Sequence, residues 1–484
     1  MTVPRCRVIT AAVLCALIAG CTVGPNYKKP TAPAPPAYKE TAPPPDIPNG
    51  SWKQAQPNDQ VLRGKWWEMY NDPQLNALED KVAISNQTLK AAMEQYFAAR
   101  AAVQVVRANY FPTLSAGPSI SRQHLSQNRP TAVPQSLSQF NDFSLTGQAS
   151  WEPDLWGQVR RSVESARASA QASAADLANV ELSIRSELAQ DYFELRGLDL
   201  QKQLLDNTVV SFTNYLDLTR TRFKGGVATD SDVALAETQL KTTIAQDIDV
   251  GVARAQFEHA IATLIGQPAS TFTLAQAPLN LSLPQIPTGL PSALLERRPD
   301  IAGMERRADA ANAQIGVAIS AYYPNVTLSG AGGFESKNPG TWIQGPSALW
   351  SLGASASELL FDAGRRHAVT EEARDNYEFT VATYRQSVLN AFQEVEDNLA
   401  ALRILEDESV AEAAAVEAAQ RSLQISTVRY KQGLVDYLEV LTAQTVLLNN
   451  QRTQADITTR QFAANVLLIK ALGGGWDTTQ LPKL

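Results

Sequence analysis

The chain has few of the residues that form covalent cross-links and metal centres, with only three cysteines and three histidines among 484 residues. Cys6 and Cys15 lie in an N-terminal stretch that is expected to be removed, so the mature chain would keep only Cys21. A disulfide bond and a cysteine-based metal site are therefore excluded. The histidines are His124, His259 and His367. Because they stand singly, without the spacing of metal ligands, they are predicted to be surface or packing residues.

Long apolar runs and basic clusters are also missing. After residue 20 no stretch is long and apolar enough to span a bilayer as a helix. The net charge is −7, and the sequence shows no basic patch of the kind that nucleic acid requires. The glycine run 473–475 has no preceding strand and no following lysine, so it indicates a helix-end loop and not a phosphate cradle. No catalytic constellation is present, and an enzyme is not expected.

The first twenty residues have the features of a bacterial export signal. Arg5 and Arg7 precede an apolar run, residues 8–18, that is too short to cross a bilayer. Residues 17–21 read Leu-Ile-Ala-Gly-Cys, which resembles a bacterial lipobox. An ordinary signal peptide with a chance cysteine is the alternative. We therefore predict a signal peptide over residues 1–20.

The cysteine that follows the signal is predicted to carry a covalent lipid, with no other cofactor. In a lipobox the cysteine sulfur receives a diacylglycerol, here at Cys21, and Thr22 after it favours the outer membrane. Residues 21–60 are predicted to be a lipid-anchored linker, because residues 28–48 are rich in proline and alanine and indicate an extended spacer. One lipid-modified residue anchors a protein only modestly, so a second membrane attachment is expected.

The second half of the chain repeats the first. Six residues recur 207 positions later as the same or a similar residue, and the pairs are Gly157/Gly364, Arg222/Arg429, Phe223/Tyr430, Lys224/Lys431, Gly226/Gly433 and Gly266/Gly473. A register held without insertion is typical of long packed helices. The predicted organisation is repeat 1 over 61–267, a linker over 268–296, repeat 2 over 297–476 and a tail over 477–484.

Each half is predicted to begin with a shorter helix and to end in two very long ones. The shorter helices are expected over about residues 73–109 and 301–321. Proline is absent from residues 158–267 and 365–481. Glycine-containing turns divide each of these stretches into a helix of about 67 residues, or roughly 100 Å, and a returning helix of about 38 residues. The predicted turn glycines are Gly225, Gly226 and Gly433.

Between these helices the sequence alternates with a period of two, which predicts strands. Three segments carry apolar or small residues on one face: Phe143, Leu145, Gly147, Ala149 and Trp151; Val326, Leu328, Gly330, Gly332 and Phe334; and Trp350, Leu352, Ala354 and Ala356. Residues 113–121 form a weaker fourth segment because Pro118 lies inside it. Each half is therefore predicted to contribute two strands.

Four amphipathic strands impose a physical constraint. An open sheet edge cannot lie in hydrocarbon, because its backbone groups find no partners there. Membrane barrels have at least eight strands. If these strands span a membrane, several chains must share one barrel, and three chains would supply twelve strands. The alternative is a soluble four-stranded sheet, which requires no oligomer.

Several motifs resemble those of a known family. Residues 66–75 resemble the opening signature of outer membrane factor lipoproteins of the NodT group, which are TolC/OprM-like outer membrane efflux proteins. Further matches cover the inter-repeat segment (297–301 and 311–316), the strand-to-helix junctions (154–157 and 361–366) and the helical tip (429–433, 437–438 and 441–444). The resemblance extends over essentially the whole mature chain.

The resemblance implies an α+β membrane protein that assembles as a homotrimer. A transmembrane β-barrel of twelve strands, four from each chain, would continue into a long periplasmic α-helical barrel or coiled coil. Such proteins are exit ducts of tripartite pumps in the outer membrane. Their implied partners are a periplasmic adaptor (membrane fusion protein), an inner-membrane RND transporter and outer-membrane lipid, and nucleic acid is not among them.

The resemblance also implies that the helical tip is the periplasmic gate. Leu438 matches the position that narrows the aperture in OprM-like members. The neighbouring acids are Asp230, Asp232, Asp436 and Glu439, and three copies of each would form negative rings that favour cations. Thr442 stands where relatives carry aspartate, and Glu439 could replace that charge. The alternative is that these acids only solvate a loop.

Two arginines lie at equivalent positions beside the tip turns. We expect Arg222 and Arg429 to pair with acids on neighbouring helices and to hold the tip shut. Opening would then exchange these pairs for adaptor contacts. On this hypothesis Arg429→Ala should raise the single-channel conductance in planar bilayers.

The predicted function is a passive efflux duct for drugs or other small toxic compounds. The alternatives are a TolC-like duct for ABC-driven type I secretion, a trimeric structural or adhesin coiled-coil protein, and a periplasmic adaptor. Adhesins repeat many short units, and adaptors lack two strand pairs. Met69, Met93 and Met304 are not clustered, so a copper or silver duct gains no support.

Overall fold

The computed structural model describes residues 22–32, 34–41, 64–126, 128, 139–286 and 293–483. The predicted signal peptide and Cys21 lie outside these residues, as do residues 42–60 of the predicted linker. The helices are α1 (Pro73–Ser85), α2 (Gln87–Arg107), α3 (Gln158–Lys224), α4 (Asp230–Leu264), α5 (Leu294–Arg297), α6 (Pro299–Ser320), α7 (Arg365–Lys431) and α8 (Tyr437–Ala471). The strands are β1 (Thr113–His124), β2 (Gln139–Trp151), β3 (Asn325–Ser336) and β4 (Ala348–Ser357).

Short 3-10 helices occur at Lys39–Thr41, Trp66–Tyr70, Ala108–Tyr110, Ala269–Thr271, Pro339–Thr341, Gly345–Ser347 and Thr478–Gln480. Across the ranges that the structure describes, none of the helices combines the length and the apolarity needed to cross a membrane.

The internal repeat is confirmed in the long helices. Both α3 and α7 contain 67 residues, as predicted, and both α4 and α8 contain 35. The repeated glycines all have φ between 68° and 91°, and they are Gly157, Gly226, Gly266, Gly364, Gly433 and Gly473. Glycine adopts this left-handed conformation without the strain that a Cβ atom introduces. Backbone geometry therefore explains why these positions recur as glycine.

The four strands form one antiparallel sheet in the order β1-β2-β3-β4. Leu145 lies opposite Pro118 on one side and Phe334 on the other, so the predicted apolar sets share a single face. The opposite face carries mainly serine, threonine, glutamine and glycine, including Ser144, Thr146, Gln148, Ser329 and Gly353. Pro118 is tolerated because β1 lies at the edge of the sheet within one chain.

The largest hydrophobic core lies where α1, α3 and α8 meet. Tyr70 is 2% exposed, its ring centroid lies 4.8 Å from that of Phe193, and its hydroxyl donates to Asn465 Oδ1 at 2.7 Å. Four of the apolar residues that recur along α3 at helical spacing are also buried in this core, namely Ile184, Leu188, Tyr192 and Leu195. The helices are thus held together by a continuous apolar seam.

The segment between the repeats crosses this core and is fixed by buried charges. The Asp199 carboxylate, whose side chain is 1% exposed, accepts hydrogen bonds from Arg196 at 2.9 Å and from Arg254 at 2.7 Å. It also accepts one from the backbone N–H of Ala277 at 3.0 Å. Residues 268–286 are therefore bound to the long helices by a charged network whose members compensate one another's burial.

The N-terminal segment is docked on the helices, which corrects the expectation of a spacer outside the core. The Val23 N–H donates to Trp156 O at 3.1 Å, and the Tyr27 hydroxyl donates to Glu305 Oε1 at 2.8 Å. Further along, Tyr38 is buried in the main core at 3% exposure. Residues 22–32 and 34–41 therefore follow the long helices from the sheet towards the core.

The first helix is interrupted, whereas the sequence predicted one helix over 73–109. Asn86 is extended, with φ −66° and ψ 121°. Its side-chain oxygen accepts from the Leu89 N–H at 2.8 Å, and its Nδ2 donates to Leu264 O at 2.7 Å. A tertiary contact with the end of α4 therefore stabilises the break, and helical periodicity does not report such a contact.

Candidate functional site

The strands run directly into the long helices at two equivalent junctions. Asp154 accepts from the N–H of Arg160 at 2.9 Å, and Asp362 accepts from the N–H of Arg366 at 3.1 Å. The Nε of each arginine donates to the same carboxylate, at 3.1 Å and 2.7 Å respectively. These contacts satisfy the first N–H groups of α3 and α7. The sheet and the long helices consequently form one continuous wall.

The sheet leaves two edges and one apolar face without partners inside the chain. β1 and β4 each pair with one strand only, so each presents a row of free backbone groups. Side chains on the apolar face are strongly exposed, with Leu114 at 79%, Trp350 at 78% and Leu352 at 81%. An exposed apolar face combined with open edges fits a barrel shared among several chains.

The far ends of the helices form two hairpins, α3–α4 and α7–α8, whose turns make up the tip. Gly226 and Gly433 have φ of 73° and 77°, which requires glycine. Gly225 and Gln432 have φ of −81° and −80°, a region open to any residue. Of the three predicted turn glycines, Gly226 and Gly433 are therefore required by geometry, whereas Gly225 is not.

Three of the four predicted tip acids lie at helix N-termini. Asp232 accepts from the Thr229 N–H at 2.8 Å and from its hydroxyl at 2.9 Å, completing a capping box. Asp436 caps α8 and accepts from the Glu439 N–H at 3.3 Å. Asp230 is the first residue of α4. Acids at these positions stabilise helix N-termini, and they keep negative charge at the tip.

The two equivalent arginines have different partners. Arg429 Nη1 donates to Glu439 Oε1 at 2.9 Å, which joins the two helices of one hairpin. Arg222 has no carboxylate partner among the described residues, so the expected acid pair is not formed within one chain. Arg222 Nη1 donates instead to Tyr430 O at 2.9 Å, and its guanidinium lies 4.5 Å from the centroid of the Tyr430 ring. We name this contact between the hairpins the cross-hairpin clamp.

Two tyrosines that the sequence analysis did not single out extend this clamp. The hydroxyls of Tyr215 and Thr427 lie 3.0 Å apart, which adds a second link between α3 and α7. The ring centroids of Tyr430 and Tyr437 lie 5.7 Å apart. Burial, with Tyr430 and Tyr215 close by, raises the pKa of Tyr437 to about 12. The sequence offered one signal for this aromatic cluster, which is that Phe223 of the first repeat is replaced by a tyrosine, Tyr430, in the second.

The predicted aperture residues lie on the first two turns of α8. Leu438 is 53% exposed. The Thr442 hydroxyl donates to Leu438 O at 2.8 Å, so it is satisfied within its own helix. Leu438, Glu439 and Thr442 are therefore brought together at the tip, next to the Arg429 contact.

The buried side of α8 carries an amide without hydrogen-bond partners among the described residues. Gln444 is 4% exposed, and neither its Nε2 nor its Oε1 has a hydrogen-bond partner within the described chain. Tyr437, Val440 and Leu448 continue the same buried stripe. Leaving such a group unsatisfied typically costs about 1–3 kcal/mol.

Known proteins resemble the chain along nearly its full length. Residues 78–267 and 290–474 match the family described as outer membrane efflux protein. The pyoverdine export outer membrane protein OpmQ of Pseudomonas aeruginosa is 31% identical over 418 residues, 86% of this chain and 88% of that protein. The probable efflux pump outer membrane protein TtgC of Pseudomonas putida is 30% identical over 481 residues, 97% of this chain and 95% of that protein.

Solved structures agree with this assignment. The outer-membrane channel OprN has a TM-score of 0.86 at 30% identity, and the alignment covers 94% of this chain and 100% of that chain. The open state of the Neisseria gonorrhoeae MtrE outer membrane channel has a TM-score of 0.81 at 26% identity, covering 94% and 98%. The predicted fold class and outer-membrane location are thereby confirmed. The chain belongs to the outer membrane efflux protein family.

Proposed function

We propose that three copies of the chain close one barrel of twelve strands and act as the passive exit duct of a tripartite efflux pump. The sheet carries this proposal, because it has two open edges, one exposed apolar face and one face of small polar residues. Pairing β1 of one copy with β4 of the next gives the backbone groups of both edges partners within the hydrocarbon layer. The small polar face then lines the pore. The proposed units remain 61–267 and 297–476, joined by 268–296.

Two adjacent positions of β4 provide a sharp test. Leu352 lies on the apolar face, and Ser351 lies on the polar face. An arginine facing lipid at mid-depth costs about 2–4 kcal/mol, whereas one facing the pore remains hydrated. Leu352→Arg should therefore reduce membrane insertion and trimer yield, and Ser351→Arg should insert normally but alter the conductance. Equal tolerance of both substitutions would favour a soluble sheet.

The proposed partners supply what a passive duct lacks. A passive duct needs an energy source, which we assign to an inner-membrane RND-type transporter joined to the tip by a periplasmic adaptor. The names of the relatives refer to pyoverdine export and to efflux pumps, which supports small compounds as the cargo. Deletion of the gene should increase susceptibility to a panel of drugs and solvents. Loss of a secreted protein from the medium, with unchanged susceptibility, would favour ABC-driven type I secretion instead.

We also propose that Cys21 carries the lipid and places the N-terminus at the membrane surface. The next residue, Thr22, lies against Gly157 at the junction of β2 and α3. The Val23 N–H contacts Trp156 O at the same level. Thr22 therefore lies beside the base of the barrel, so an acyl chain on the residue before it would be close to the bilayer. Mass spectrometry of the mature N-terminus should detect the acylated cysteine, and Cys21→Ser should abolish the modification.

We assign the periplasmic gate to the tip, with Leu438 at the aperture and Asp230, Asp232, Asp436 and Glu439 as charges around it. Arg222 and Arg429 act differently in this assignment, since the first joins the two hairpins and the second joins helices of one hairpin. Separation of the hairpins would widen the opening. The cross-hairpin clamp is accordingly the contact that holds the gate closed.

A further inference from the structure

The lipid-facing side of the sheet ends in basic residues at the end remote from the long helices. On this face the last apolar pair of β1 and β2 is Ile120 opposite Phe143, and the next pair is Arg122 opposite Asn141. His124 follows opposite Gln139. Both Arg122 and His124 are exposed. No aspartate or glutamate occupies this face in the described strands.

Acids at the same end of the sheet belong to the other face. Asp142 pairs with Ser121, and Glu335 pairs with Ser144. Successive strand residues point to opposite faces, so both acids share the polar face with the serines. Positive and negative charges are therefore separated by the sheet, with cations towards lipid and acids towards the pore.

The composition of this end differs from that of the whole chain. Residues 122–141 and 336–347 contain arginine and lysine but no aspartate or glutamate, although the chain has a net charge of −7. Lys337 is exposed and directly follows Ser336, the last residue of β3. Trp342 contacts Phe143, with ring centroids 5.8 Å apart, and indoles favour the boundary between apolar and polar layers of a membrane. This end therefore has the composition of a membrane interface facing an anionic layer.

We propose that Arg122, supported by His124, binds the phosphate groups of a phosphorylated glycolipid in the outer leaflet. The inference rests on the proposed trimeric barrel, which places this end at the outer surface. A guanidinium binds phosphate through two parallel hydrogen bonds, and its attraction to phosphate is screened less beside hydrocarbon than in water. An anionic substrate passing through the pore would not meet these cations, because they lie on the opposite face. Three copies would produce a ring of such sites around the barrel.

The test measures lipid binding to the purified full-length trimer by native mass spectrometry. Titrations with diphosphoryl lipid A, monophosphoryl lipid A and phosphatidylglycerol should show the strongest binding for the diphosphoryl lipid. Arg122→Gln should weaken that binding about tenfold, as expected for one lost charge-assisted contact, and adding His124→Gln should weaken it further. Arg122→Lys should give an intermediate loss, because charge is kept and the fork is lost. The control, Lys241→Gln on exposed α4, should bind as wild type.

Equal binding of all three lipids, or wild-type binding by Arg122→Gln, would overturn the assignment. The conductance of the Arg122→Gln trimer in planar bilayers serves as a separate readout. It should match wild type, because Arg122 faces away from the pore. Wild-type protein that neither forms trimers nor conducts would refute the proposed barrel, whereas a conducting trimer indifferent to lipid phosphate would refute only the lipid site.

Discussion

Removal of the Arg222 guanidinium should open the tip, and removal of the equivalent Arg429 guanidinium should not. Arg222→Ala deletes a hydrogen bond of 2.9 Å to Tyr430 O and the stacking contact at 4.5 Å. A hydrogen bond from a charged donor contributes about 1.5–3 kcal/mol and an exposed cation–π contact about 0.5–1 kcal/mol. Because Arg222 is only partly buried, we take about 1.5 kcal/mol per chain, which is roughly tenfold in the balance between closed and open hairpins.

Arg429 provides the matched control within the same trimer. Its pair with Glu439 has side-chain exposures of 49% and 37%, and exposed pairs contribute about 0–1 kcal/mol. The pair also lies within one hairpin, so its loss leaves the contact between hairpins intact. We therefore expect Arg222→Ala, and not Arg429→Ala, to raise the conductance.

Single-channel recordings in planar bilayers distinguish the two variants. Arg222→Ala should show higher conductance or longer open times than wild type, and Arg222→Lys should lie between them because it cannot reproduce both contacts. Arg429→Ala should remain near wild type. Wild-type currents from Arg222→Ala, together with raised currents from Arg429→Ala, would refute the cross-hairpin clamp.

Three further substitutions test other parts of the molecule. Burial raises the pKa of Glu79 to about 8 against the opposing effect of Arg185, so native Glu79 holds a proton that the unfolded chain releases near its usual pKa of about 4.3. The unfolding temperature should thus fall as pH rises from about 4.5 to 8. Glu79→Gln should make the unfolding temperature less dependent on pH, whereas the control Glu181→Gln, at a half-exposed side chain, should leave that dependence unchanged. Gln444→Leu removes two unsatisfied buried atoms and should slow amide hydrogen exchange in the tip about tenfold, whereas unchanged exchange would mean that a partner already satisfies the amide. Gly226→Ala should destabilise the tip by about 1–2 kcal/mol, as seen by faster exchange, and Gly225→Ala should have little effect because its φ is −81°.

The features that the sequence predicted well are those that depend on local periodicity. The absence of proline and the placement of Gly157, Gly226 and Gly266 set the length of the helices, because each glycine occupies a left-handed position at a helix end. The period-two alternation of apolar and polar residues correctly predicted which side chains share the apolar face of the sheet, because successive residues of a strand point to opposite faces.

The features that the sequence did not predict depend on contacts between distant segments. The break at Asn86 relies on Leu264 O, which is remote in sequence. Equivalent positions suggested equivalent partners for Arg222 and Arg429, but Tyr430 is 3% exposed whereas Phe223, its counterpart, is 44% exposed. Of this equivalent pair only Tyr430 is buried, and it is Arg222 that binds its ring and carbonyl across the hairpins.

The equal lengths of α3 and α7 determine how such a tube can vary in evolution. Both contain 67 residues and begin directly beneath neighbouring parts of one sheet, and Arg222 meets Tyr430 because their ends reach the same depth. Deletion of seven residues from one of them would offset those ends by about 10.5 Å and separate the two residues. The length of the helical part can therefore change only by the same step in both halves. An insertion or deletion in one copy of the repeat must be matched by an equal one in the other copy.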